Sequence, residues 1–159
     1  MIYAFLQRLI RDQSGVGFVE LSLVAPLLAL LFLGMVDLSQ IVAARIDLEQ
    51  AAQRTTDYAL GKRPPNGSTS YLVNEAVAAS GVPSGDVSVT LTLECDGTVQ
   101  SSFTGSCSTG QETRRFATVA IRRTVDTGFN WRAMAAIFTG QSAAYTPITV
   151  TGDSVVRLQ

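Results

Sequence analysis

The chain has 159 residues, of which 47% are hydrophobic and only 16% charged, and its formal net charge is −1. That length holds one modest domain and an anchor, and that charge gives no reason to expect nucleic acid or strongly acidic partners. With no histidine and two cysteines, the chain lacks the materials of the familiar Cys/His metal sites and of Ser–His or Cys–His nucleophile pairs, so no catalytic residue, metal site or cofactor is expected.

Met1–Gly15 carries Arg8 and Arg11 and places Ile2, Phe5, Leu6, Leu9 and Ile10 at helical spacing. It reads as a leader, either laid along a membrane surface or unstructured. Gly15-Val16-Gly17-Phe18-Val19-Glu20 follows, and then Leu21–Val36 runs without a charge. A transmembrane helix needs about 20 predominantly apolar residues, which Phe18–Leu38 reaches by placing Glu20 and Asp37 near the two interfaces. An acid costs roughly 2.5–3.5 kcal/mol at the bilayer centre and less near its surface, so Glu20 is a candidate functional residue. A secretory signal peptide is the competing reading, with Val42-Ala43-Ala44 as a small-residue cleavage site and a secreted domain starting at Arg45. Against it, the apolar run exceeds the usual core of about 7–15 residues, and Asp37, Ser39 and Gln40 interrupt the approach to the cut.

Phe18–Leu60 reads as one nearly continuous helix of roughly 64 Å, against about 30 Å of hydrocarbon, so about half of it must project. Pro26 removes the hydrogen bond to the Ser22 carbonyl and is expected to bend or loosen the helix. Ala29 and Gly34 reduce bulk where another helix can approach. Beyond Asp37, the residues Leu38, Ile41, Val42, Leu48, Ala51, Ala52, Thr55 and Ala59 form a broad stripe that predicts packing on the chain's own domain. The basic residues on the two flanks of the span nearly tie. A lasting disulfide needs an oxidising compartment, so the leader is placed in the cytoplasm and the C-terminal domain outside the inner membrane.

Gly61–Gly67, with Pro64-Pro65-Asn66-Gly67, is a breaker that marks a linker. Tyr71–Ser80 reads as a short helix stopped by Gly81, with Pro83 beyond. Val87, Val89, Leu91 and Leu93 alternate with polar residues as a strand; Ala117, Val119 and Ile121 give a second, continuing weakly to Val125. Asn130 is expected to cap a helix with Trp131, Met134, Ala135 and Phe138 on one face, ending at Gly140. A last strand includes Ile148 and Val150, with Gly152 as a bulge or turn before Val155-Val156. Cys95 and Cys107 bracket a Gly/Ser/Thr-rich loop with little to hold itself down; a disulfide there contributes roughly 3 kcal/mol in the chain-entropy model. Arg114-Arg115 and Arg122-Arg123 straddle one strand, where pairing with Glu112 and Asp126 or a solvated face is the simplest account, and contact with phosphate or anionic glycans the alternative. The expected architecture is α+β: a leader (1–15), a long transmembrane and amphipathic helix (16–61), a linker (62–70) and a domain (71–159) with a mainly antiparallel sheet and two short helices.

A short basic leader, a glycine, and a glutamate five residues on inside an apolar helix resemble the processing site of type IV pilin-like proteins. Glu20, Pro26, Gly34, Asp37, Arg45, Ala51-Ala52, Arg54 and Tyr58-Ala59 fall in the order of the TadE-like family of the tight-adherence (Tad) pilus. Gly152-Asp153-Ser154-Val155-Val156-Arg157 resembles that family's C-terminal end. Leu21 stands where major Tad pilins usually carry tyrosine, which favours a minor pseudopilin. The resemblance implies cleavage between Gly15 and Val16 by a prepilin peptidase, with Glu20 used in assembly. The implied partners are other pilin and pseudopilin subunits, the inner-membrane assembly platform and the lipid bilayer. The implied place is the bacterial inner membrane, single-pass, with the C-terminal domain in the periplasm or carried into a pilus at the cell surface. The alternative from another class is an uncleaved membrane-anchored periplasmic binding module.

Overall fold

The computed structural model describes residues 16–140, 145 and 147–158, so the leader, Gly15 included, lies outside the described residues. Helix α1 covers Val16–Gly61, and its helical assignment runs unbroken through Pro26. The chain divides into two units, one ending at Leu38 and the other beginning at Ser39.

The second unit is α+β. After the α1 residues from Ser39 onward come a 3-10 turn at Pro65–Gly67, helix α2 (Ser70–Ser80), strand β1 (Val87–Cys95) and the two-residue strand β2 (Thr98–Val99). Strand β3 (Thr113–Val125), helix α3 (Trp131–Thr139) and strand β4 (Ile148–Arg157) complete it. The four strands form one antiparallel sheet in the order β2-β1-β3-β4. Alternation sorts the sheet into two faces: Leu93, Ala117, Val119, Ile121 and Val150 are buried, while Ser88, Thr90, Arg122, Thr149 and Thr151 between them are exposed. Leu48, Ala51, Ala52 and Ala59 of α1 and Leu72 and Ala76 of α2 pack on the buried face.

The stripe expected on α1 is narrower than its sequence suggests. Leu38 and Val42 are exposed, Ile41 and Ala44 are half-buried, and the covered face is Leu48, Ala51, Ala52, Thr55, Thr56 and Ala59. Two threonines can sit in that face because their hydroxyls are satisfied. Thr55 Oγ1 donates to the Ala51 carbonyl at 2.8 Å and Thr56 Oγ1 to the Gln53 carbonyl at 2.8 Å. Thr56 Oγ1 also lies 3.0 Å from Ser154 Oγ, tying α1 to β4.

Gly152 is neither a bulge nor a turn. It sits in register inside β4, opposite Ile121. A Cβ built there would lie 2.4 Å from the Glu49 nitrogen and 2.4 Å from the Leu48 carbonyl carbon. The glycine is required by the close approach of the α1 backbone to the strand, and the small Ala51 and Ala52 one turn on serve the same approach.

The remaining elements follow local chemistry. Gly81 closes α2 in the left-handed region at φ 70°, donating to the Val77 carbonyl at 2.8 Å, which a residue without a Cβ does at little cost. Asp96 and Gly97, both at positive φ, turn β1 into β2, so that Glu94 faces Val99; Asp-Gly is the dipeptide such hairpin turns prefer. Asn130 caps α3 by accepting from the Ala133 amide at 3.0 Å. Trp131 and Met134 are half-buried, whereas Phe138 on the expected apolar face is 85% exposed.

Of the arginine pairs, Arg114 donates through Nε and Nη2 to Glu112 at 2.8 and 2.7 Å, and Arg157 reaches the same carboxylate at 3.3 Å. Arg114 first, then Arg157, holds the Glu112 carboxyl below its ordinary value. Asp126, one of the acids offered as a partner for the arginines, accepts from the Tyr145 hydroxyl at 3.2 Å.

Cys95 and Cys107 form a disulfide with a Cα–Cα distance of 5.6 Å. It closes the loop between β1 and β3 at the buried end of β1. Replacing both cysteines by serine is expected to lower the stability of the head by about 3 kcal/mol through the freed unfolded state. Urea unfolding of the full chain in detergent, with and without the pair, measures it; equal midpoints would mean that the loop is held by its other contacts.

Candidate functional site

A helix that is apolar all round belongs in the core of a large protein or in a membrane. The first unit has such a helix, and no other described residue covers its apolar run. Leu21, Leu23, Val24, Leu27, Leu28, Leu31, Phe32 and Met35 are all exposed, Leu23 to 74% and Met35 to 71%. Each large apolar side chain gains about 1.5–3 kcal/mol on leaving water. A run of eight of them in water would therefore cost as much as a domain's whole stability. Lipid or other apolar helices are the surroundings this surface fits, and among the described residues this is the one helix long and apolar enough to cross a membrane.

Glu20 stands at the start of this surface, exposed, in the second turn of a helix that begins at Val16. Two residues on, Ser22 turns its hydroxyl back to the Val19 carbonyl at 2.8 Å. A hydroxyl satisfied in this way carries no polar cost into lipid. Pro26 lies inside the same run without ending the helix. At the far end, Asp37 is 5% exposed and is the first acid after the apolar run.

Sequence-predicted site residues thus fall in two places. Val16, Glu20 and Pro26 share the first stretch of α1, Gly15 lies outside the described residues, and Cys95 and Cys107 are joined in the second unit. What the arrangement offers chemically is one carboxylate at the edge of an otherwise apolar surface. Among the described residues, no group of three or more Asp, Glu or Cys is placed to hold a metal ion.

Residues 15–57 match the family described as TadE-like protein. The matched stretch holds the whole exposed apolar surface together with the first part of the α1 face that packs on the sheet. No curated protein and no solved structure matches the chain.

Proposed function

We propose, from the TadE-like character of residues 15–57 and the uncovered apolar helix they build, that the chain is a minor pseudopilin of a Tad pilus. In this reading it is inserted in the inner membrane as a single-pass prepilin, leader in the cytoplasm and head in the periplasm. A prepilin peptidase cuts between Gly15 and Val16, and the subunit then joins other pilins through the assembly platform, acting in initiation, capping or regulation of a filament used in surface attachment.

The observation that carries the reading is the lone carboxylate of Glu20 on a surface fit only for lipid or neighbouring helices. A carboxylate in such surroundings seeks a cation. Cleavage supplies one, the new α-amino group of Val16, on an adjacent subunit. Processing thereby removes the basic leader and creates the partner of Glu20 in one step. Pro26 loosens the helix locally, which lets neighbouring helices adjust around it.

The mature N-terminus tests it. Mass spectrometry of the protein from cells carrying the peptidase is expected to find Val16 first, and Gly15→Ala to slow or block processing, because a Cβ intrudes where the peptidase must approach the backbone. An uncleaved anchor for a binding module predicts Met1 in both the wild type and Gly15→Ala, and a secreted domain predicts Arg45; either result rejects the pseudopilin reading.

A further inference from the structure

A pocket in the second unit joins four stretches of chain that are far apart in sequence. Arg63 and Asn66 come from the linker, Phe103 and Thr104 from the disulfide-closed loop, Arg115 from β3, and Leu158 from just past β4. Its volume is about 290 Å³, at the small end of ligand sites and enough for a single sugar ring with its substituents. Two guanidinium groups line it and, among the described residues, no acid does.

The walls are built rather than incidental. Arg115 Nη2 donates to the Gly105 carbonyl at 2.9 Å, and its guanidinium lies over the Phe103 ring, 5.8 Å from the centroid. That contact holds the charge and the ring as one unit. The loop carrying Phe103 to Gly105 is closed by the Cys95–Cys107 bond. Gly67 turns the linker at φ 74°, which favours glycine, and lies beside the same loop, within contact distance of Thr104 and Phe103. Arg63, by contrast, is exposed and has no ion pair among the described residues.

We propose that this pocket binds an acidic sugar, with Arg63 facing a ring carboxylate and the Arg115–Phe103 unit forming the wall beside it. The chemistry separates this ligand from its rivals. A guanidinium matches a carboxylate through paired N–H donors in one plane. The Asn66 amide and Thr104 hydroxyl both donate and accept, as sugar hydroxyls require. The Phe103 ring gives the apolar C–H face of a pyranose a surface to lie on. A bare phosphate would use the arginines and leave the ring without a purpose. An extended polyanion needs a basic stripe, and the neighbouring Arg114 and Arg157 are engaged by Glu112. The site is independent of the pilus reading, because all its residues lie in the head.

The test is calorimetric titration of the full chain in neutral detergent with tri-galacturonate. Its methyl ester, inorganic phosphate and a glutamate-rich peptide serve as the comparison ligands. Tri-galacturonate is expected to bind saturably, with the ester weaker by roughly tenfold or more. Arg63→Gln, at an exposed position, is expected to weaken the acid by a similar factor and to leave the ester unchanged. Asn66→Gly, which keeps the positive φ, is expected to weaken both sugars. Equal binding of acid and ester, phosphate or peptide binding tighter than the sugar, or no saturation by about 10 mM would each overturn the assignment.

Discussion

Gly152→Ala is expected to destabilise the head by about 3 kcal/mol or more, a large fraction of a typical domain stability. The added methyl would sit 2.4 Å from backbone atoms of Leu48 and Glu49, with the Leu48 Cβ at 2.6 Å. Backbone in the middle of a helix cannot step aside as a flexible side chain can. Either α1 lifts from β4, opening the contacts of Leu48, Ala51 and Ala52, or β4 shifts out of register with β3. Ordinary overpacking costs about 1–3 kcal/mol, and this case lies at or above that range. Gly85→Ala is the control, since nothing lies within 4 Å of its added Cβ. Urea unfolding of both variants, followed by near-ultraviolet circular dichroism, measures the difference. A Gly152→Ala midpoint equal to that of Gly85→Ala would mean that α1 does not lie against β4 at this point.

On the pseudopilin reading, Glu20→Gln is expected to abolish incorporation of the subunit into pili while leaving cleavage and membrane insertion intact. Glutamine keeps the size and hydrogen-bonding capacity of the side chain and removes only the charge. An amide is cheaper than a carboxylate to take from water, so the membrane level of the variant is expected to equal or exceed that of the wild type. If the carboxylate pairs with the Val16 amine of a neighbour, its loss leaves that ammonium without a counter-charge in the bundle, at a cost of about 3–5 kcal/mol. The measurement is the ratio of subunit in sheared pili to subunit in the membrane. Incorporation at the wild-type ratio would make Glu20 an interfacial residue with no part in assembly.

Much of this architecture is legible in the sequence, and the exceptions have physical reasons. The charge-free run, the Val87–Leu93 alternation, Gly81 and the Asn130 cap each carry a strong local preference, and each local preference survives in the fold. The first residues of β3 escape notice because Arg114 and Arg115 interrupt its apolar alternation. Strand β2 is two residues long, too short for any period, although Asp96-Gly97 marks the hairpin that makes it. Gly152 reads as a bulge because a glycine in a strand has two meanings, and the element that decides between them lies at the other end of the chain. Leu38 and Val42 read as core because a stripe on a helix shows which residues can be covered, not how far along the cover extends. Glu20 stands out in the sequence by its spacing from Gly15, whereas the pocket around Arg63 and Arg115 does not, since only the fold brings its four stretches together.

The contact between Leu48 in α1 and Gly152 in β4 also constrains the order of events in synthesis. Among the described elements, α1 is made first and is covered by β4, which follows all the others. Until Ile148–Arg157 has left the ribosome and paired with β3, the Leu48 face of α1 lacks part of its cover, and β3 presents a bare edge. A chain interrupted before Ile148 is therefore not a smaller domain but an open one, with exposed apolar surface and an unpaired strand that invite aggregation. Closure of the head therefore waits on β4, whatever order its other elements fold in.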